Sequence, residues 1–194
     1  METVAVPTRK EQIEQQATIL FRTKGYSASS MRDLAGMLGM EAASLYSHIR
    51  SKEELLQRIC FKMAEAFFAA VEQVDQSSPD VQLASAIRAH FQVISRHIDA
   101  SAVFFNEWRH LSDPHLSEFL ALRNQYEQFF LQVIDRGIQQ GIFKPIDQKL
   151  AMMTILSSIN WTHQWYSEKG TMSVDEIGRQ LAELLINGIT KTSK

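Results

Sequence analysis

The sequence predicts an all-α fold on three observations. Glycine (8) and proline (4) are scarce among 194 residues. No run alternates apolar and polar residues between hairpin turns. Apolar residues recur instead at spacings of three and four along nearly the whole chain, the pattern of helices packing on helices.

The elements follow in order. "TRKEQIEQQATILFRTKGY" places Ile13, Ala17, Leu20 and Phe21 on one face and stops at Gly25, a natural residue just past a helix end. "SSMRDLAGMLG" starts at a serine cap, groups Met31, Leu34, Ala35 and Leu38, and ends at Gly39. A third short helix, from about Glu41 to Ile49, turns Leu45 and Ile49 inward. Ser51 and Glu54 have the spacing of a capping box for a long fourth helix through Leu55, Ile59, Met63 and Phe67. "DQSSPD" is the clearest break. Ser78 can cap and Pro79 can take the first position of a helix to about Ile98. "SAVFFNEWRHL" is a shorter helix, and Asp113-Pro114 starts a long one to about Gln140. "GIFKPID" is a loop. Asp147 caps a helix reaching Ser167, and Ser173 with Glu176 caps the last, to about Thr190. The count is about nine helices.

Composition narrows the function classes. The net charge is −2, divided unevenly: residues 1–52 hold seven Lys/Arg against five Asp/Glu, and residues 53–194 thirteen against seventeen. The N-terminal part therefore favours a polyanion and the remainder does not. The single cysteine, Cys60, excludes an internal disulfide and a cysteine-rich metal site. "METVAVPTRK" lacks an apolar signal core, and no run reaches the roughly eighteen apolar residues of a membrane span. The expectation is a cytoplasmic protein without a membrane partner. The histidine spacings (His90 with His97, His110 with His115) do not form a zinc pattern. Neither GxSxG, GxGxxG, P-loop nor HExxH occurs, so no catalytic residue, metal or cofactor is assigned.

Two short helices joined by a glycine turn, with a third packed on them, form a helix-turn-helix. With Leu45 and Ile49 inward, Ala42, Ala43, Tyr46 and Ser47 fall on the outward face. That face lacks the long charged side chains of an ordinary solvated helix. Small residues beside one tyrosine suit insertion into a groove, where Ala42 and Ala43 can touch thymine methyls. Ser30 heads the second helix, where N–H groups bind anions. His48 and Lys52 flank the next junction and suit phosphates, which fix register without reading sequence. Arg32 either reads guanine or pairs with Asp33 or Glu41. Tyr46 read as a half-buried core residue, and Lys52 as a solvated charge, are the plainer alternatives.

These residues carry a resemblance. "GYSASSMRDLAGMLGMEAASLYSHIRSKEELL" resembles the N-terminal signature of the TetR family of bacterial transcriptional regulators. The matching residues are Gly25, Tyr26, Ser30, Arg32, Asp33, Leu34, Ala35, Gly39, Leu45, Tyr46, His48, Ser51, Lys52, Glu53 and Leu55, within about residues 9–56. Glu41, Ala43 and Ile49 stand where the family more often has serine, glycine and phenylalanine. The resemblance implies a homodimer on a palindromic double-stranded operator. Residues 1–52 would be the DNA-binding module and residues 53–194 the ligand-binding and dimerisation domain. Ser30, Arg32, Ala42, Ala43, Ser44, Tyr46, Ser47, His48 and Lys52 are the candidate DNA contacts.

The second half offers aromatic stripes: Phe104, Phe105 and Trp108; Tyr126; Trp161 and Trp165. Such stripes form either core or an apolar pocket with polar handles. "NEWRHLSDP", "LRNQYE", "GIFKPID", "NWTHQWYSEKG" and "LLINGI" resemble a branch of the family associated with acyl-CoA sensing. That implies Arg109 and Arg123 as partners for a CoA phosphate or thioester carbonyl. Pairs with Glu107 or Glu127 are the alternative. The expected protein is a repressor released from its operator by a small apolar effector, an acyl-CoA first, another aromatic or drug-like ligand second. An all-α protein-interaction module is the reading from a different class. The apolar faces near 115–140 and 148–167 are the expected dimer contact.

Overall fold

The computed structural model describes residues 7–190; the reading of the first six residues as lacking a signal core lies outside them. All nine expected helices form: α1 (Arg9–Lys24), α2 (Met31–Met37), α3 (Ala42–Leu45), α4 (Lys52–Glu72), α5 (Pro79–Arg96), α6 (Ile98–Glu107), α7 (His115–Gln139), α8 (Gln148–Asn160) and α10 (Val174–Asn187). A 3-10 turn, Trp108–His110, ends α6, and a short α9 (Thr162–Trp165) follows a break in the eighth. Among the described residues there is no strand, only an isolated bridge between Phe143 and Thr190.

Local chemistry explains where the ends differ from expectation. α3 closes after one turn rather than running to Ile49, because the Ser47 hydroxyl donates to the Ser44 carbonyl at 2.7 Å and competes with helix propagation. Ser51 accepts from the Glu54 N–H at 3.0 Å, but the Glu54 carboxylate reaches the Arg50 N–H instead of completing the box on Ser51. The Ser78 side chain makes no cap and donates to Asp80. The expected helix 148–167 breaks at Trp161, where Thr162 Oγ1 takes the Ile159 carbonyl at 2.6 Å and His163 Nδ1 takes that of Asn160 at 2.6 Å.

The chain divides into two compact units, Met1–Met63 with Asp99–Phe119, and Ala64–Ile98 with Leu120–Lys194. The first unit thus takes in α4 as far as Met63. The cause is packing: Leu55, Leu56, Ile59 and Cys60 of α4 complete the core formed by Ile13, Phe21, Leu34, Leu45 and Ile49. Val103, Leu111 and Phe119 close it from the other segment. Each such burial contributes about 1.5–3 kcal/mol. Between α2 and α3, Gly39 adopts φ 62°, the left-handed conformation glycine takes without strain, and Met40 N–H returns to the Ala35 carbonyl at 3.0 Å. This sets the turn of the helix-turn-helix.

In the second unit α5 packs against α8, α9 and α10. Leu83, Ile87, Phe91 and Ile94 of α5 are buried in it, as are Phe130, Ile134, Ile155 and Ile159. Gly137 is required by close approach: a Cβ there would lie 2.2 Å from the Phe143 ring.

Candidate DNA-reading face and effector region

α2, the turn and α3 hold the candidate reading face. Leu45 and Ile49 are buried as expected, which turns Ala43, Ser44, Tyr46, Ser47 and His48 outward; Tyr46 is 54% exposed. Ala42 is half-buried and packs on the core. Arg32 is exposed on α2, and its Asp33 neighbour is engaged elsewhere. Of the residues expected outward, Ala43 and Ser47 are exposed beside Tyr46, whereas Ala42 turns partly into the core.

Two expected phosphate groups are placed differently. Ser30 does cap α2, but its hydroxyl and N–H both donate to the Asp33 carboxylate, at 2.7 and 2.8 Å. Lys24 donates to the same oxygen at 2.9 Å. The Lys24 ammonium, with the Ser30 bonds, holds the Asp33 carboxyl down at about 2. The head of α2 is thus filled by the protein's own anion. Lys52 donates to the carbonyls of Tyr26 and Ser29, both at 2.8 Å, and lies 4.1 Å from the Tyr26 ring centre. Two of its three N–H groups lock the turn before α2, leaving one donor for an outside acceptor.

Residues to which the sequence assigned no place at this face brace it within the same unit. Tyr26 stacks on His110 at 5.2 Å, and Ser27 Oγ lies 3.3 Å from His110 Nε2. Burial pushes the Tyr26 phenol up, with Glu53 adding to the effect. The Glu53 carboxylate accepts from the Ser112 hydroxyl and N–H, which hold it below the usual range. Gln57 meets His115 at 3.1 Å, and Arg22 pairs with Asp99. Glu14, nearly buried on α1, accepts from Arg58 at 3.2 Å and Lys62 at 3.0 Å. A glutamate beside Ile13 on the apolar face of α1 was the one signal in the sequence for this network. Cys60 is buried, which pushes its thiol up to about 12 and keeps it protonated.

The eight expected effector residues divide between the units. In the first, Trp108 stacks on Phe119 at 5.6 Å, Phe104 meets Phe119 edge-on at 5.3 Å, and Phe105 meets Phe104 at 5.1 Å. Arg109 is exposed and lies 4.6 Å over the Trp108 ring. In the second, Arg123 pairs with Glu127 at 2.8 Å, one of the alternatives the sequence left open. Tyr126 is buried and meets His90, which also meets Asn160. Trp161 and Trp165 are 62% and 50% exposed, so the second unit does not enclose them around Tyr126. Among the described residues no helix is long and apolar enough to cross a membrane.

Comparison with known proteins places this geometry. Residues 13–59 match the family of bacterial regulatory proteins described as the tetR family. Residues 76–189 match the tetracyclin repressor-like C-terminal domain. The HTH-type transcriptional repressor KstR2 of Mycolicibacterium smegmatis is 25% identical over 95% of this chain and 92% of its own. The solved ketosteroid transcriptional regulator KstR2 of Mycobacterium tuberculosis superposes with a TM-score of 0.90 at 26% identity, covering 96% of this chain and 97% of that one. AibR, solved with isovaleryl coenzyme A and operator DNA, superposes with a TM-score of 0.78 at 22% identity over 94% of this chain and 98% of its own.

Proposed function

The chain belongs to the TetR family of bacterial regulatory proteins, and we propose that it is a homodimeric repressor that a coenzyme A thioester releases from a palindromic operator. The observation that carries the DNA reading is the outward face of α3 and the turn that follows it. Ala43, Ser44, Tyr46, Ser47 and His48 are exposed there while Leu45 and Ile49 anchor the helix beneath. A helix that presents short side chains enters the major groove closely, and its neighbours fix the register on phosphate.

Dimerisation is supported by α8 and α10 more than by α7. Leu150, Met153 and Trp161 are exposed at helical spacing along and just beyond α8, and Leu184 is exposed on α10; α7 exposes Leu120. Apolar groups in such a row mark an interface. Two copies joined there would present two reading heads to a two-fold operator.

For the effector class, support comes from relatives. KstR2 is named for ketosteroid regulation, so a ring-derived acyl group fits alongside a long chain. AibR indicates that this fold accommodates a coenzyme A thioester together with operator DNA. Release requires that the thioester prefer the conformation in which the heads no longer match successive major grooves. A preference of about tenfold to a hundredfold, about 1.4–2.7 kcal/mol, makes a useful switch. The test has two steps. Selection of bound DNA from a random pool yields a palindrome; operator release is then titrated with matched acyl-CoA, free acid and CoA. Release by acyl-CoA far below the acid concentration supports the reading. Equal potency of acid and thioester removes its coenzyme A part, and no release by any acyl species favours an aromatic or drug-like ligand.

A further inference from the structure

The second unit contains a cleft walled by the last turns of α4, the second half of α5 and the start of α10, with a volume of about 780 Å3. That size falls within the roughly 300–1,000 Å3 of small-molecule sites. Its lining includes short side chains, Ala66, Ala69 and Ala70 from α4 and Ala89 from α5, while Gly178 of α10 packs against Arg88 and Phe91 of α5. A flat ring can approach alanine side chains closely. The rim carries arginines and aspartates together. Arg88 and Arg96 stand about two turns apart on α5, roughly 12 Å of helix rise. Neither takes part in an ion pair among the described residues. Arg88 donates to Ser85 on its own helix at 3.2 Å. Arg179 also lines the cleft, but Glu176 and Glu183 hold its guanidinium. The two lining carboxylates are engaged as well: Asp75 accepts from the Ser77 N–H at 2.8 Å, and Asp175 from Gln92 at 3.2 Å.

We propose that this cleft takes the phosphorylated nucleotide end of a coenzyme A thioester, an assignment that rests on the thioester reading above. Guanidinium groups are planar, permanently charged and matched to phosphate oxygens, and the two lining carboxylates are turned to their own donors, Ser77 and Gln92. Two such groups separated along α5 suit a ligand that carries phosphate at two places, the diphosphate and the ribose phosphate. The alanines of the lining suit the face of a purine, and the Gln73 and Gln92 amides on the lining suit its polar edge. Arg109 and Arg123, the partners expected from the sequence, are placed over Trp108 and against Glu127 instead.

The experiment is isothermal titration calorimetry of the full chain with CoA alone, a matched acyl-CoA and the matched free acid. CoA alone is expected to bind. The double variant Arg88→Ala, Arg96→Ala is expected to weaken CoA and acyl-CoA at least tenfold, about 1.4 kcal/mol, with a smaller change for the free acid. Ala69→Trp, which obstructs the alanine lining from an exposed position, is expected to weaken the same two ligands, with circular dichroism confirming that both variants fold. No binding of CoA to the unmodified chain overturns the assignment, as does an undiminished affinity for CoA in the variants or an equal loss for acid and thioester. A thioester that binds through the two arginines yet leaves the operator occupied upholds the cleft and refutes the effector reading. Release by a thioester whose affinity ignores both arginines does the reverse.

Discussion

His90 Nδ1 and the Tyr126 hydroxyl lie 2.9 Å apart in the core of the second unit, and His90 Nε2 lies 2.9 Å from Asn160 Oδ1. An amide oxygen accepts, so Nε2 carries the proton and Nδ1 accepts from the phenol. Phe67 stacks on the imidazole at 4.4 Å. One neutral histidine thus joins α5, α7 and the end of α8. Burial, only partly opposed by the Asn160 bond, pushes its pKa down to about 4.

Stability is therefore expected to fall as the medium is acidified. Above pH about 6.5 the histidine is neutral in both folded and unfolded chains. Between about 6.5 and 4 the unfolded chain takes up a proton that the folded one refuses, and roughly 3 kcal/mol is lost across that window. Asp33 and Glu176, both held down at about 2, add their own losses only below the ordinary carboxylate range. Urea midpoints at pH 7, 6, 5 and 4.5 separate the two effects. His90→Gln, which keeps an amide donor and acceptor, is expected to flatten the decline between 6.5 and 4.5; an unchanged slope would place the titration elsewhere.

Tyr46 and Lys52 are expected to separate in their effects. Tyr46 is exposed and makes no core contact that its removal would break, so Tyr46→Ala weakens operator binding about tenfold or more while thermal stability moves by less than about 0.5 kcal/mol. Lys52 satisfies two carbonyls of the turn before α2, so Lys52→Ala lowers stability by about 1–2 kcal/mol as well as operator affinity. Parallel melting curves and operator titrations at several salt concentrations decide it. If Lys52→Ala melts like the unmodified chain and the salt slope falls by about one unit, the residue is a phosphate contact and not a lock on the turn.

Ser101 is fully buried on α6, and among the described residues its hydroxyl has no hydrogen-bond partner. A buried hydroxyl without a partner costs desolvation and returns nothing. Ser101→Ala is therefore expected to be neutral or to stabilise by up to about 1 kcal/mol, read from urea unfolding. A destabilisation beyond 1 kcal/mol would reveal a bonded hydroxyl.

The legible parts of the sequence were those written in local patterns. Helical spacing located every long helix, and Gly39 marked the turn because a positive φ there leaves a residue-level signature. Leu45 and Ile49 faced inward because a buried stripe of a 3.6-residue helix must contain them. What escaped were choices between equivalent partners. Nothing local tells Lys52 to take the Tyr26 and Ser29 carbonyls, more than twenty residues away in sequence, rather than a phosphate. Arg123 had Glu127 one turn away, and short range won. The break at Trp161 depended on Thr162 and His163 reaching backbone carbonyls, which apolar periodicity does not record. The aromatic stripe that suggested an enclosed pocket placed Trp161 and Trp165 on the surface, because apolar periodicity alone does not tell a face that the chain covers from one that it leaves open.

That ambiguity yields the last expectation. Leu150, Met153 and Trp161 are 66%, 52% and 62% exposed, in a row on and just beyond α8, and Leu184 on α10 is 73% exposed. Water makes such a row unfavourable, and a second copy of the chain can cover it by two-fold symmetry, each row meeting its own image. A tryptophan at the centre of such a contact carries a large share of the binding, about 2 kcal/mol or more on truncation. Trp161→Ala is therefore expected to weaken the dimer at least tenfold by sedimentation equilibrium, and Leu150→Glu more, through the buried charge it would impose. Circular dichroism should stay unchanged, since neither side chain supports the core of its own unit. Operator affinity should fall with the dimer, because a single head holds half the contacts, and should recover as protein concentration rises. If Trp161→Ala instead leaves the dimer intact and weakens only the response to effector, the tryptophan belongs to the ligand site, as its place in the aromatic stripe first suggested.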